Sequence, residues 1–247
     1  MLNGLLFNLF FIIWEIVYTS VTLPMLLLPI RIINTFLTYS IRIVLYMLYL
    51  LHNIEYTVKG VENIPKQPFI IASKHQSPFE AFIFILLFKN AVFILKRELK
   101  WIPFIGLHLI ALKMIFINRV NGIKSIRHII NLSKIRIKEN RNIIIFPEGT
   151  RTSITQKIKY QPGVAALYNA LSIPVLPVAL NTGLFWPKNI FSIRKNSGKA
   201  TIEILPPIHP GLNKNEFLKN LEKTIEEKSK KLTIAKTNNL QINKKNL

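Results

Sequence analysis

The sequence predicts an α/β fold: a mixed, largely parallel central sheet flanked by helices, preceded by an N-terminal membrane-associated helical segment. Three observations predict it. After Leu51, short β-rich apolar runs alternate with amphipathic ones, the pattern of strands joined by helical crossovers. Before Leu51 the chain is almost continuously apolar. The 50% hydrophobic and 18% charged content, with a mean hydropathy of +0.31, excludes intrinsic disorder for most of the length. A chain of 247 residues suits one large domain with an appended segment. The expected division is helices over 1–51, one domain over 52–236 and a frayed, basic tail over 237–247.

The run from Leu5 to Ile30 is interrupted only by Asn8, Glu15 and the Thr19–Thr22 cluster, and it contains Pro24 and Pro29 near its end. It is long enough to span a bilayer, which takes ~20 residues at ~1.5 Å each. A cleaved signal peptide is disfavoured, because no Lys or Arg precedes Arg31 and there is no small-residue cleavage site. In the second run, Ile32 to Leu51, the polar residues Arg31, Asn34, Thr35, Thr38 and Arg42 recur at helical spacing and share one face. That stripe favours a helix lying at the membrane interface, its arginines snorkelling to phosphates, over a second span. A pair of buried core helices is the alternative. On the membrane reading, the lysines after Arg31 place the rest of the chain on the cytoplasmic side of a bacterial-type inner membrane.

Strands are expected near Ile54–Val58, Phe69–Ala72, Ala91–Leu95, Met114–Ile117, Asn142–Phe146, Val175–Leu180 and Ala200–Ile204. Helices are expected at Phe79–Phe88, Phe104–Leu112, Gly122–Lys138, Gly163–Leu171 and Lys214–Leu232.

The 33 basic residues outnumber the 12 acidic ones, for a net charge of +21. This points to a polyanionic partner: nucleic acid, an anionic membrane surface or a phosphorylated substrate. Part of the charge is compositional, since an AT-rich genome enriches Ile, Lys and Asn. The absence of cysteine excludes a disulfide scaffold, thiolate metal sites and a cysteine nucleophile.

Four segments carry chemistry. In Ser73-Lys74-His75-Gln76-Ser77-Pro78-Phe79-Glu80, an i, i+5 pair on one helix would point apart, so His75 and Glu80 meet only if His75 sits in the loop before the helix. Ser77, Pro78 and Glu80 supply that break as a helix start with a capping box. Glu80 therefore has two readings: it caps the helix, or it fixes the tautomer of His75 so that the other ring nitrogen is a base. The other histidines, His52, His108, His128 and His209, have no such setting and are read as structural. Phe116-Ile117-Asn118-Arg119 delivers an arginine from a strand end. In Phe146-Pro147-Glu148-Gly149-Thr150-Arg151, Gly149 permits φ > 0, so successive amides with the Thr150 hydroxyl and Arg151 can form an anion-binding turn. Two arginines from two strand ends would give forked, permanently charged donors for one phosphate. Ile173-Pro174-Val175-Leu176-Pro177-Val178 reads as a wall. The hydrolase elbow, Walker loop, dinucleotide and zincin motifs are missing.

In this order, the four segments resemble the blocks of the glycerolipid acyltransferase family, in particular its 1-acyl-sn-glycerol-3-phosphate acyltransferases. The likeness covers about residues 55–210. His75 through Glu80 matches H-x4-D with Glu in place of Asp, Phe116 and Arg119 match F-x-x-R, and Phe146 through Arg151 match F-P-E-G-T-R. The resemblance implies transfer of an acyl group from acyl-CoA or acyl carrier protein to the sn-2 hydroxyl of lysophosphatidic acid, giving phosphatidic acid. His75 would be the base, oriented by Glu80, with no metal or bound cofactor. Arg119, Gly149, Thr150 and Arg151 would bind the substrate phosphate, with Glu148 supporting that loop or the glycerol hydroxyl. The positive end of the helix beginning at Ser77 would aid the oxyanion, and an anionic phospholipid membrane would be the working surface. Glycerol 3-phosphate or another lysolipid, such as a lyso-ornithine lipid, is the alternative acceptor. Outside the enzyme class stand a membrane-tethered nucleic-acid-binding protein and a silent lipid-binding module. Nucleic acid is not expected, since the body shows no basic stripe interleaved with aromatics.

Overall fold

The computed structural model of the chain describes residues 1–119 and 122–245, with side chains as far as Ala235. Two helices, α1 (Leu2–Thr22) and α2 (Ile30–His52), precede β1 (Ile54–Lys59) and β2 (Ile70–Ser73). Then come α3 (Pro78–Leu87), β3 (Ala91–Lys96), α4 (Ile105–Ala111), β4 (Ile115–Ile117) and α5 (Gly122–Lys138). The chain continues through β5 (Asn142–Ile145), α6 (Pro162–Leu171), β6 (Val175–Leu180), β7 (Gly198–Ile204) and α7 (Lys214–Lys245). Each expected strand and helix of the body is present, with ends shifted by a residue or two except in α7, expected to end at Leu232 and found to end at Lys245. Helix α7 runs through Lys245 and takes in most of the stretch expected to fray, since no Gly or Pro interrupts it. Residues 246–247 lie outside the described residues.

The seven strands form one sheet in the order β1-β7-β6-β2-β5-β3-β4. Every neighbouring pair is parallel except β6 and β7, so the mixed, largely parallel sheet expected from the alternation is what forms. The central strands β2 and β6 are buried at every residue. This is why they read as continuous apolar runs: a parallel sheet covered on both faces leaves no polar side to alternate with. Helix α7 packs on β6 and α6, and α5 packs on β4 and β5.

The apolar run expected from Leu5 to Ile30 does not form one helix. Helix α1 ends at Thr22, a 3-10 turn covers Pro24–Leu27, and Pro29 is the N-cap of α2. Pro24 lacks the N–H that would continue α1, and Pro29 restricts Leu28 to extended backbone, observed at φ −82°, ψ 163°. The result is a helical hairpin laid on the domain. Phe7 meets Trp186 edge-on at 5.3 Å, Trp14 donates to Ser40 Oγ at 2.9 Å, and Asn8 donates to the carbonyl of Phe191 at 2.7 Å. Near the turn, Thr22 and buried His108 share a 2.7 Å hydrogen bond. The opposite side of α1 exposes Leu2, Leu5, Leu9, Ile12, Ile16 and Val21. Both helices are long and apolar enough to cross a membrane.

The adjacent parallel strands β6, β2, β5, β3 and β4 point their carboxyl ends to one edge of the sheet. Loops from four of them carry His75, Arg119, Gly149 and Thr182, in the crevice where open α/β sheets bind ligands.

Gly4 seats α1 on the domain: a Cβ there would run into the backbone of Ile193, which cannot swing away as a side chain can. Gly4→Val is expected to cost ~1–3 kcal/mol through this overpacking, read as a lower midpoint in denaturant unfolding of the full chain.

Candidate active site

The loop after β2 carries His75. Its ring stacks on Phe146 at 3.8 Å between centroids and 14° between planes, which fixes its tilt. Nδ1 lies 2.9 Å from Glu80 Oε1. An ionised carboxylate only accepts, so Nδ1 carries the hydrogen and Nε2 the lone pair, a tautomer assigned by the network. Nε2 has no partner among the described residues, and the side chain is 14% exposed, enough to meet a ligand from outside.

Glu80 does both things its position allows. Oε1 accepts from His75 Nδ1 and also from the backbone N–H groups of Gln76 and Ser77, each at 2.7 Å, while Ser77 Oγ accepts from Phe79 N at 3.1 Å. The capping box is complete. Oε2 accepts from Thr182 Oγ1 at 2.7 Å, in the loop after β6. The N–H groups of Gln76 and Ser77, just before α3, are thus turned onto the Glu80 carboxylate, which lies at the positive end of the helix.

The loop after β5 reaches the same place. Gly149 has φ +72°, and its N–H donates to the Phe146 carbonyl at 2.9 Å, closing the expected turn. Glu148 is 2% exposed, and its carboxylate is occupied. Oε2 accepts from the His75 N–H at 2.8 Å, and Oε1 lies 2.7 Å from Lys74 Nζ and 3.0 Å from Thr152 Oγ1. Its carboxylate is committed to three protein donors, the arrangement that the first of its two expected roles, support of the loop, requires. Thr152 returns the contact, its N–H donating to the His75 carbonyl at 2.8 Å.

Arg151, one residue before Thr152, is half-buried. Its Nη1 donates to the Lys188 carbonyl at 3.2 Å, and its Nε is buried without a partner among the described residues. Arg119, after β4, is exposed, and its Cζ comes within 4.0 Å of where a Gly149 side chain would begin. Ser125 of α5 donates to the carbonyl of Asn118 and ties down that strand end. Burial lowers both guanidinium pKa values, opposed by the charge of Glu98 at Arg119 and of Glu80 at Arg151. Thr150 is exposed beside them. The expected residues therefore gather: one imidazole with a lone pair, and a turn with two guanidinium groups, joined by hydrogen bonds through residue 75 itself. This set can take a proton and hold an anion. No group of three or more histidine or acidic side chains gathers as metal ligands among the described residues.

Sequence reasoning missed the layer beneath. Lys74 is 3% exposed and bridges Glu148 to Glu226 of α7, with Nζ 2.7 Å and 2.8 Å from the two Glu226 oxygens. Tyr160 donates to Glu226 Oε1 at 3.1 Å, and burial followed by the charge of Glu226 pushes its phenol pKa well up, keeping the proton in place. Burial also raises the Glu148 pKa, while Lys74 pulls it back. Gln76 accepts from the Gly183 N–H at 3.2 Å. A lysine next to the candidate base was the available signal, but nothing local identifies its partner 152 residues away.

The model of the acyltransferase family matches residues 55–181 of the chain. A 1-acyl-sn-glycerol-3-phosphate acyltransferase of Pseudomonas aeruginosa is 36% identical over 168 residues, 68% of this chain and 65% of that protein. One of Borreliella burgdorferi is 34% identical over 172 residues, 68% of this chain and 67% of that protein. The chain thus matches about two thirds of the length of each. The crystal structure of the 1-acyl-sn-glycerophosphate (LPA) acyltransferase PlsC from Thermotoga maritima superposes with a TM-score of 0.74 over 94% of this chain and 96% of that one, at 23% identity.

Removing the buried cation while leaving both carboxylates should be severe: Lys74→Met is expected to cost ~3–5 kcal/mol, as when one partner of a buried ion pair is lost. Glu226→Gln, which keeps an acceptor for Tyr160, should cost only ~1–2 kcal/mol. Paired urea titrations read the difference, and similar losses would argue against a buried Lys74 hub.

Proposed function

The chain belongs to the acyltransferase family, and from that premise we propose that it transfers an acyl group from a thioester to the sn-2 hydroxyl of 1-acyl-sn-glycerol-3-phosphate, giving phosphatidic acid. Nε2 of His75 takes the hydroxyl proton as the oxygen attacks the thioester carbonyl. The C–S bond then breaks, and the departing thiolate takes the proton from the imidazolium, so no covalent acyl-enzyme forms. Glu80 holds the ring and stabilises its transient positive charge. Arg119 and Arg151 hold the phosphate, and the Gly149 turn and Thr150 line its seat. Acyl-CoA or acyl carrier protein is the donor.

The observation that carries this reading is the direct linkage of base and anion site: Glu148 and Thr152, which flank the Gly149 to Arg151 turn, bond the N–H and carbonyl of His75. An acceptor held by its phosphate in that turn has its hydroxyl brought to the base by the same hydrogen bonds. Holding two reactants near attack distance contributes as much as the proton transfer itself. The unpartnered Nε of Arg151 is a buried donor that a phosphate oxygen would satisfy.

The exposed apolar side of α1 supports work at a membrane, because water-facing apolar patches of this length mark interaction surfaces. We place the protein on the cytoplasmic face of the inner membrane, where a lysolipid arrives laterally and the thioester from solution.

The test is acyl transfer to lysophosphatidic acid in membranes, with each donor in turn. His75→Ala is expected to lower kcat ~10²–10⁴-fold. Glu80→Gln keeps an acceptor for the cap but loses the charge, worth ~1–2 kcal/mol of imidazolium stabilisation and so roughly tenfold in kcat. Arg151→Lys should mainly raise KM for the phosphorylated acceptor. If folded protein turns over with glycerol 3-phosphate or another lysolipid instead, the acceptor assignment fails while the chemistry stands.

A further inference from the structure

A second basic site lies at the far end of α3. The polar stripe of α2 and the turn after α3 enclose a groove of about 380 Å³, lined by Arg31, Asn34, Tyr39, Arg42, Lys89 and Asn90. Among the described residues no acidic side chain lines it. None of its three cations has an ion pair among the described residues, and Arg42 lies over the Tyr39 ring at 5.9 Å. The hydroxyls of Thr35 and Thr38, also on this side, donate to carbonyls of their own helix. Asn90 donates to the Asn140 carbonyl at 2.8 Å and so fixes the turn that presents Lys89. Two forked guanidinium groups, an ammonium and the Asn34 amide therefore face one open space, without hydrogen-bond acceptors among the described residues, a donor set for a phosphate.

The rest of α2 identifies the phosphate. Its exposed apolar residues Ile32, Phe36 and Ile43 lie about 100–140° round the helix from Arg31 at ~100° per residue, next to the stripe. Its buried residues Ile33, Val44 and Leu48 take the opposite sector. An apolar flank beside a cationic groove puts the cations at the depth of lipid phosphates once the flank enters the acyl region. A soluble anion would have no use for that flank. Lys89 lies two residues past the end of α3 and His75 three before its start, so the length of the helix, ~15 Å, runs between the groove and the reacting centre. A lipid held here is not the one acylated.

We propose that this groove binds the phosphate of an anionic membrane glycerophospholipid, clamping the helical hairpin to the end of α3. The inference does not depend on acyl transfer, and binding alone tests it. Flotation of the full chain with phosphatidylcholine vesicles, with and without phosphatidylglycerol, is compared for wild type, the Arg31→Gln, Arg42→Gln, Lys89→Gln triple variant and a charge-matched Lys219→Gln, Lys223→Gln, Lys230→Gln triple variant on α7. The groove variant is expected to lose phosphatidylglycerol-dependent binding by about a hundredfold, at about fivefold per cation, and the α7 variant far less. Equal losses would mean diffuse charge attraction and overturn the site. Calorimetric titration with a short-chain phosphatidylglycerol below its micelle concentration should show saturable binding that the groove variant lacks. Coenzyme A or inorganic phosphate binding the groove more tightly than the lipid would overturn the lipid assignment. Arg42→Gln alone, at an exposed position, should weaken binding about fivefold and keeps the test open if the triple variant misfolds.

Discussion

One carboxylate oxygen, Oε1 of Glu80, receives three N–H groups: the ring of His75 and the backbones of Gln76 and Ser77. Bringing them together requires the chain to leave β2 in a loop and start α3 at Ser77, because on a continuous helix residues 75 and 80 diverge. The parallel sheet then has its purpose at this edge. Its β2 end presents the imidazole, its β6 end brings Thr182 to the second oxygen, and its β5 end brings the turn that leads into Arg151. A fully buried carboxylate with four donors is an anion whose lost hydration has been replaced by fixed dipoles.

The second carboxylate, Glu148, works from the other side of the same loop, and Lys74 ties it to α7. Burying a cation and two anions adds little net stability over a well-packed apolar cluster, because desolvation offsets the attraction. What the cluster provides is geometry: strand ends, the Gly149 turn and the C-terminal helix are held in one register by bonds that work only at short range. The imidazole is thus clamped through its ring by Glu80 and through its backbone by Glu148 and Thr152, and little ordering is left for the moment of reaction.

The fold was legible in the sequence because its signals are local. Continuous apolar runs such as Ile143–Ile145 announce buried strands, and Ser77-Pro78-Phe79-Glu80 announces a helix start. The meeting of His75 and Glu80 followed from that start, and the two readings of Glu80 proved compatible because one oxygen could accept all three donors. The break between α1 and α2 was written in Pro24 and Pro29, but the apolar run across them hid it. What stayed illegible pairs residues far apart in the chain. Lys74 with Glu226, Glu80 with Thr182 and the α2 stripe with Lys89 depend on the order of strands in the sheet and on helix docking, which no window of sequence encodes.

All 12 acidic residues of the chain are glutamate, so glutamate at position 80, where the family usually has aspartate, follows the habit of the whole polypeptide. The oxygen that starts α3 is the oxygen that holds the imidazole, and the companion oxygen is spoken for by Thr182, so a substitution at position 80 acts on the helix start and the ring together. A change to aspartate would shorten the side chain by one methylene and withdraw it from four partners on two loops at once. Position 80 is thereby coupled to residues 77 and 182, and a change at any one of the three disturbs the contacts of the others.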